Sequence, residues 1–583
     1  MNIISGLFEH CVLQRGNVIS VTGTAAGNKV VAVVTKGQRR IAQAGVPIRR
    51  QQFTLRFRRL PAGGPYTVTL TAGAERLVVN DVLVGDVWIC AGQSNMQGLG
   101  YLQHAEKPNP QVRAFYMDDH WAIARDPLHT YGNCVDDIHR LLAGDKRWPK
   151  PLEGVGPALS FALEMRRRTG VPQGLIPCAH GGSSLDQWSA NLKSPSLYAA
   201  TMRRVAKNGG RVAGIIWSQG ESEGWSAALG QTYPGKMVEL VKAFRRDLRD
   251  PRLPVVMTQI ARMLPSRSFS PPWNLLQDQQ RRLPLTIRQL AVVPTVDLPF
   301  DDDAHVGGDG NARLGRRLAE AMHLLRGGKG ARPQIVLRRV RVVPDPLSWW
   351  GGSHVIVEFS NVAGKLVSAG RPTGFTIGHP SSVFGVNLDG QRAIVRTSLP
   401  PVEVMTQSLY YGQGSDPYCN ITDQAGRSLP AFVMPLGTSR VLTPFVKPRV
   451  SQVFPGAALP YPAESVLWRT KPFQTDFCDV HDEFTTGAQL IYLACDLHVT
   501  EPMKLVALLG YDGPVKLWVD GRELFHDPNG TNPGIIDAKC IRFDAAPGPH
   551  QVRVALGSNA GKAWGIYLRF QRLDGHLLPE VRP

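Results

Sequence analysis

The sequence predicts a multidomain α/β plus β protein: one parallel-sheet region flanked on both sides by β-sandwich regions. Three observations predict it. The 583 residues exceed what a single hydrophobic core organises. Segment 81–328 alternates short apolar runs with helical periodicity, the pattern of a parallel sheet with helices on both faces. Outside it, short β-rich runs are punctuated by many of the chain's 59 glycines and 45 prolines, which suits strands joined by turns.

Taken in order, residues 1–80 read as a small β-sandwich. Lys29 to Lys36 is Val-rich, Phe53 to Phe57 and Tyr66 to Thr71 alternate with period two, and Pro61-Ala-Gly-Gly-Pro65 turns between them. In 81–328 the expected buried strands are Val84 to Cys90, Gly174 to Cys178, Val212 to Trp217, Val255 to Ile260 and Ala291 to Val296. Helical spacing appears at Val155, Leu159 and Ala162, at Met237 to Leu248, and at Leu314 to Leu325. An irregular insertion, 98–151, carries His104, His120, His129 and His139 and is expected to line a substrate cleft. Their spacing matches no metal-ligand motif, so they read as surface or loop histidines and no metal is expected. Strands return in 333–445. After a proline-bearing linker, Val446 to Pro462, the last region (446–583) reads as a jelly-roll-like β module. There Asp520-Gly521-Arg522 separates two apolar runs, a hairpin signal.

Lys plus Arg (66) exceeds Asp plus Glu (47), a net charge of +19. The arginines are dispersed, without the basic runs interleaved with aromatics that a nucleic-acid groove needs, so no nucleic-acid partner is expected. The eight cysteines show no CxxC pair, and Cys90 and Cys178 are expected as buried free thiols. No signal peptide and no apolar run of about 18 residues stand out, so a soluble protein without a membrane partner is expected. Cofactors are not called for, and the oligomeric state is not legible.

The chemistry concentrates at strand ends. Ser94 follows the first apolar strand, on a turn opened by Gly92. Gly181-Gly182-Ser183-Ser184-Leu185-Asp186-Gln187-Trp188 follows the second, and Ser218-Gln219-Gly220-Glu221-Ser222 the third. Asp301-Asp302-Asp303-Ala304-His305 lies between the last strand and the last helix. Carboxyl ends of parallel strands share one edge, so these stretches converge. A serine hydroxyl needs a base, for which His305 qualifies, and the base needs an acidic orienter. Asp302 is three residues away and fits best, with Asp301 and Asp303 as fallbacks. An oxyanion needs preorganised donors: the amides of Ser94 and of Gly181 or Gly182, plus the Gln219 carboxamide. Trp188, Asn95 and Glu221 are the expected substrate contacts. The G-x-S-x-G elbow of the other common serine-hydrolase fold is absent, since Met96 stands at its second glycine.

As a set, Gly92-Gln-Ser-Asn-Met96, the Gly181-Gly-Ser to Trp188 stretch, Trp217-Ser-Gln-Gly-Glu221 and Asp302-x-x-His305 resemble the sialate O-acetylesterase and related carbohydrate acetylesterases of the SGNH hydrolase class. Leu7-Phe8, Val12 to Gly16 and Gly63-Gly-Pro-Tyr66 are similar to that family's leading β region. The resemblance implies a three-layer α/β/α catalytic domain, Ser94 as nucleophile, His305 as base and Asp302 as its partner. It also implies Gln219 where other members use Asn. The implied activity is removal of O-acetyl groups from a carbohydrate such as sialic acid, xylan or xyloglucan. The rival readings are an esterase of other short acyl groups and a non-catalytic glycan-binding protein. The region after about 450 lies outside the resemblance.

Overall fold

The structure is a computed structural model. It describes residues 1–572 apart from 17, 59, 145–151, 265–270, 346, 349–351, 400, 405–406, 437–447, 474–476, 500–501 and 536–537. The end of the expected insertion, the start of the expected linker and the last eleven residues therefore lie outside the described residues.

Mixed α/β architecture is present, with strands in several sheets. The central sheet runs, in order, Trp121–Ile123, Val112–Phe115, Gln173–Pro177, Glu75–Gly92, Gly214–Ser218, Val255–Thr258 and Leu290–Val293. Every neighbouring pair is parallel except the first, which is an antiparallel edge contributed by the insertion. Setting the two insertion strands aside, the chain order across the sheet is 2-1-3-4-5, with Glu75–Gly92 as strand 1. The chain goes to one side of that strand and then crosses to the other. Between strands 1 and 3 the carboxyl ends therefore open a crevice.

Alternation along strand 1 sorts the core into two halves. Val87, Ile89 and Ala91 face one side with Leu197, Tyr198, Met237, Leu240 and Phe244 from helices Leu197–Lys207 and Ala227–Asp247. Trp88 and Cys90 face the other with Leu159, Phe161, Met165, Leu314, Leu318 and Met322 from helices Pro157–Thr169 and Gly308–Leu325. A strand covered on both faces must be apolar throughout, which is why 82–91 lacks the alternation of a half-exposed strand, the buried Asp86 excepted. On the second face two helices touch at Gly315, where a Cβ would lie 2.5 Å from that of Ser160. No side chain larger than hydrogen fits there.

All five expected strands are found, with boundaries shifted by up to three residues except at strand 1, which begins nine residues earlier at Glu75. It therefore runs unbroken through residues 80 and 81, pairing first with Gly63–Ala72 and then with the parallel strands. The helix expected at 237–248 starts ten residues earlier and runs through Pro234, held by burial of Tyr233, Met237, Leu240 and Phe244. Helices Leu197–Lys207 and Pro271–Arg282 were not foreseen.

After the central sheet, Val336–Pro344, Ser353–Ser360, Arg392–Thr397 and Gly385–Asp389 form a four-stranded antiparallel sheet. A second, three-stranded sheet joins it around one core that includes Val340, Phe359, Tyr411 and Phe432. This region is fastened to the central sheet by the Gln259 carboxamide, which donates to Ala431 O (2.7 Å) and accepts from Ala431 N (2.9 Å). In the last region, sheets of seven and four strands enclose a shared core including Leu493, Leu505, Leu517 and Val554. The expected hairpin is there: Val515–Val519 pairs with Arg522–Asp527 across Asp520 and Gly521, both at positive φ. Cys90 and Cys178 are buried and free, as expected. Among the described residues no helix is long and apolar enough to cross a membrane.

Candidate active site

Ser94 sits where strand 1 ends and a single helical turn, Ser94–Gln97, begins. The turn is tight because Gly92 takes φ +126°, and a Cβ there would lie 2.0 Å from Ser218 O. The Gln93 amide then donates to the same carbonyl (2.7 Å), which ties the serine turn to the end of strand 3. The loop after strand 2 approaches as well: a Cβ at Gly181 would lie 3.6 Å from the Ser94 Cβ.

The histidine comes from the loop before helix Gly308–Leu325. His305 Nδ1 donates to Asp302 Oδ2 at 2.7 Å, since a carboxylate only accepts. The other oxygen, Oδ1, accepts from the amides of Ala304 (2.8 Å) and His305 (2.6 Å), closing the loop on itself. Partial burial raises the Asp302 carboxyl, but the His305 ring and these amides outweigh it and hold it below the usual carboxylate range. This fixes the imidazole tautomer and leaves Nε2 as an acceptor. Asp301 is used differently: its Oδ2 accepts from the amides of Tyr101 (2.7 Å) and Gly308 (2.9 Å). Asp303 accepts through its backbone carbonyl from Leu264 N. Of the three aspartates, Asp302 alone hydrogen-bonds His305 among the described residues.

Asn95 connects the two loops. Its Oδ1 accepts from Val306 N (3.0 Å) and its Nδ2 donates to Glu221 Oε1 (2.7 Å). The residues that follow Ser94 and His305 are therefore directly bonded, on a base supplied by the loop after strand 3. Burial pushes the Glu221 carboxyl above its ordinary value, with Asn95 pulling the other way.

Five expected roles are corrected by this geometry. Trp188 is fully buried, packs edge-on against Trp217 at 5.0 Å and donates Nε1–H to Ser183 Oγ (2.9 Å), so it offers a sugar no face. Asn95 and Glu221 are buried and bonded to each other, which makes them supports of the loops instead of substrate contacts. The Gln219 carboxamide spends both hydrogens, on Ser183 O (3.1 Å) and Glu223 Oε2 (2.5 Å), and has none for an oxyanion. The Gly181 amide is likewise engaged, donating to Gln97 Oε1 (2.9 Å) and to the Tyr131 hydroxyl (3.1 Å). The amides of Ser94 and Gly182 have no partner among the described residues.

The insertion backs this edge. Tyr131 stacks on His180 at 4.4 Å between ring centres, and His139 Nδ1 lies 3.2 Å from His180 Nδ1. His129, in a loop as expected, and His139, on the short helix Asp137–Ala143, are both buried, and burial holds both rings neutral, with His129 pulled down to about 3. His104 and His120 lie elsewhere, the first 3.9 Å from Asp301 and the second against Asp118. No group of three or more potential metal ligands occurs among the described residues. The supporting side chains Gln97, Tyr131, His180 and Glu223 were missed by sequence reasoning. Only Gln97, three residues past the serine on its helical turn, carried a positional signal.

Comparison with known proteins finds matches over the region that carries these loops. Residues 84–324 match the model of a family described as carbohydrate esterase, sialic acid-specific acetylesterase. A probable carbohydrate esterase of Arabidopsis thaliana is 27% identical over 277 residues, covering 43% of this chain and 96% of that protein. Human sialate O-acetylesterase is 26% identical over 252 residues, and the chain spans about half its length (47%), with 36% of this chain matched. The crystal structure of a carbohydrate acetylesterase from Xanthomonas citri superimposes with a TM-score of 0.57 at 22% identity, over 74% of this chain and 99% of that one, and so shows a common fold. Residues 84–324 are thus similar to carbohydrate esterases of the sialic acid-specific acetylesterase type, which are carboxylic ester hydrolases.

Proposed function

We propose that this chain removes O-acetyl groups from carbohydrate hydroxyls through a serine acyl-enzyme, on a three-layer catalytic domain of the SGNH class. In this reading Ser94 attacks the acetyl carbonyl while His305 Nε2 takes its proton. Asp302 holds the ring and stabilises the imidazolium. The tetrahedral oxyanion takes hydrogen bonds from the amides of Ser94 and Gly182. Gln93 is a third donor on the same turn: its Oε1 accepts from Gly220 N (3.3 Å) and its NH2 has no partner among the described residues. Collapse expels the sugar hydroxyl, protonated by His305, and the same ring then activates water to free acetate. The observation that carries the reading is the Asn95 splint, which bonds the histidine loop to the serine turn beside an already oriented His305–Asp302 pair.

The same reading divides the chain into an N-terminal β-sandwich (1–80), a catalytic domain (81–328) whose insertion (98–151) walls the cleft, a second β-sandwich (333–445) and a C-terminal jelly-roll-like module (446–583). Acetate release from p-nitrophenyl acetate, acetylated xylan, acetylated xyloglucan and O-acetylated sialic acid tests it. Wild type is expected to release acetate from at least one glycan, and Ser94→Ala from none. Equal release by both would overturn the assignment.

A further inference from the structure

The first eighty residues hold eleven Lys and Arg against two carboxylates, so nine of the chain's nineteen net positive charges fall in that short stretch. Neither carboxylate is free to offset them. Glu75 takes the terminal amine of Met1 and the Ala26 amide (3.1 Å), and Glu9 takes the Asn80 amide (3.0 Å). One cation, Arg15, is spent on the buried Asp86. The other described cations, Arg76 and those named below, are exposed, and among the described residues none of them pairs with a carboxylate.

Dispersed in sequence, these side chains are gathered by the fold. Asn2–Ser5, Val18–Thr24 and Gln52–Arg58 form one antiparallel sheet, and Lys29–Lys36 pairs with Arg39–Pro47 in the other. Gln52–Arg58 and Arg39–Pro47 are the edge strands of their sheets, follow one another in the chain and are in contact. The chain reverses between them through an antiparallel bridge of Arg49 with Gln52. Arg39 and Arg40, at the start of the first edge strand, therefore lie at the same end as Arg56 and Arg58, at the finish of the second, with Lys36 in register opposite Arg39. Arg49 and Arg50 mark the other end, where Lys29 stands opposite Pro47. At about 3.4 Å per residue, Gln52–Arg58 makes this cationic edge roughly 20 Å long. One or two charges blunt a strand edge against pairing with another chain. A longer row of like charges repels itself and costs stability, so folding does not call for it.

The surroundings narrow the occupant, which must be a polyanion. On the outward face of the first sheet Arg58 and Arg56 stand opposite Val18 and Ser20, and Thr54 stands opposite Thr22. Guanidinium forks match planar carboxylates, and the neighbouring hydroxyls suit those of a sugar. No Phe, Tyr or Trp is exposed among the described residues of 1–80, as stacked nucleobases would need. The large apolar side chains exposed there are Ile4 and Val18, both on strands, so no amphipathic helix is offered to a bilayer. This β region is built on the leading half of strand 1, through its pairing with Gly63–Ala72, whereas Ser94 follows the far end of that strand.

We propose that the arginine edge is a binding site for a linear acidic polysaccharide, one carrying a carboxylate on successive sugar units. It anchors the protein to that polymer and leaves the Ser94 crevice open. The site goes beyond the esterase reading and stands without it, since the two share no residue.

The test measures binding of the full chain to polygalacturonate, with dextran, a short DNA duplex and phosphatidylcholine–phosphatidylserine vesicles as the other probes. Arg39→Gln/Arg40→Gln/Arg56→Gln/Arg58→Gln removes four charges from the edge. Lys504→Gln/Arg522→Gln/Lys539→Gln/Arg542→Gln removes four exposed charges from the last region and is the control. Expected is polygalacturonate binding that weakens steeply with added salt, drops at least about tenfold in the edge variant and changes less than about twofold in the control. Dextran should not bind, and the edge variant should melt no lower than wild type. Equal loss in the two variants would reduce the effect to overall charge and overturn the site, as would no binding by wild type. Tighter binding of the duplex or the vesicles than of polygalacturonate would overturn the choice of polymer. Ser94→Ala should bind polygalacturonate like wild type, and weaker binding would place the polymer in the crevice and overturn the separate site. Hydrolysis of p-nitrophenyl acetate that does not depend on Ser94 would sink the esterase reading and leave this binding result standing.

Discussion

The two ends of the central sheet bury carboxylates in opposite ways. At the amino end Asp86, fully buried, takes a two-pronged hydrogen bond from Arg15 (2.9 Å each) and a further one from Arg326 (3.2 Å). At the carboxyl end Glu221 and Glu223 are as deeply buried but are held by side-chain amides, Asn95 and Gln219, and by the Leu185 amide (2.6 Å). Burial accordingly raises both glutamates above their ordinary values. In the proposed mechanism a guanidinium near Ser94 would compete with His305 for Asp302 and oppose the imidazolium formed during attack. Amide clamps fix the loops without bringing a permanent cation to the reaction. The proposed mechanism places no reacting group at the amino end, where ion pairs fasten the strand.

That contrast can be broken from either side, and the largest effect is expected at the carboxyl end. Asp302→Asn should lower kcat on p-nitrophenyl acetate by roughly 10⁴-fold by leaving His305 in the wrong tautomer. Its melting temperature should stay near wild type, because the side chain is partly exposed; Asp301→Asn and Asp303→Asn should retain far more activity. At the amino end Asp86→Ala should cost about 2–3 kcal/mol in denaturant unfolding by stripping partners from two arginines, with kcat of the folded fraction unchanged.

Asn95→Ala should do both things on a smaller scale. Loss of its two hydrogen bonds should cost about 2 kcal/mol, and loosening of the histidine loop should cut kcat about tenfold to a hundredfold. Asn95→Ser, which can reach only one partner, should fall between. The smallest effect concerns Glu221. A carboxyl whose folded pKa is raised binds its proton more tightly in the native state, so its unfavourable contribution develops as pH rises from its ordinary value of 4.5 to the raised one. The stability of wild type relative to Glu221→Gln should therefore decline across that window and level off above it. A difference that is flat with pH would mean Glu221 is not strained by burial.

Much of this was legible in the sequence, and what was not has a physical reason. Buried parallel strands announce themselves as apolar runs, and Ser94, His305 and Asp302 stood out because turns at strand ends are short and polar. Helix Pro271–Arg282 was hidden because, beside Trp273 and Leu276, its inner face is mostly polar. Gln277 donates to Ile260 O (3.0 Å), and Gln280 donates to Gln219 O (3.0 Å) while accepting from Ile260 N (2.8 Å). A helix that satisfies loop backbone lacks the apolar stripe by which helices are recognised. The roles of Trp188 and Gln219 were misjudged for a related reason. Composition marks an aromatic or an amide as able to meet substrate, but only packing shows that each is already spent on the protein.

The most direct test of the Ser94–His305–Asp302 assignment is labelling with a fluorophosphonate followed by peptide mapping. A single adduct is predicted, on Ser94, formed at wild-type rate in Asp86→Ala that remains folded, slowed strongly in His305→Ala and absent in Ser94→Ala. Labelling that persists in Ser94→Ala, or that maps to Ser183 or Ser222 in wild type, would contradict it.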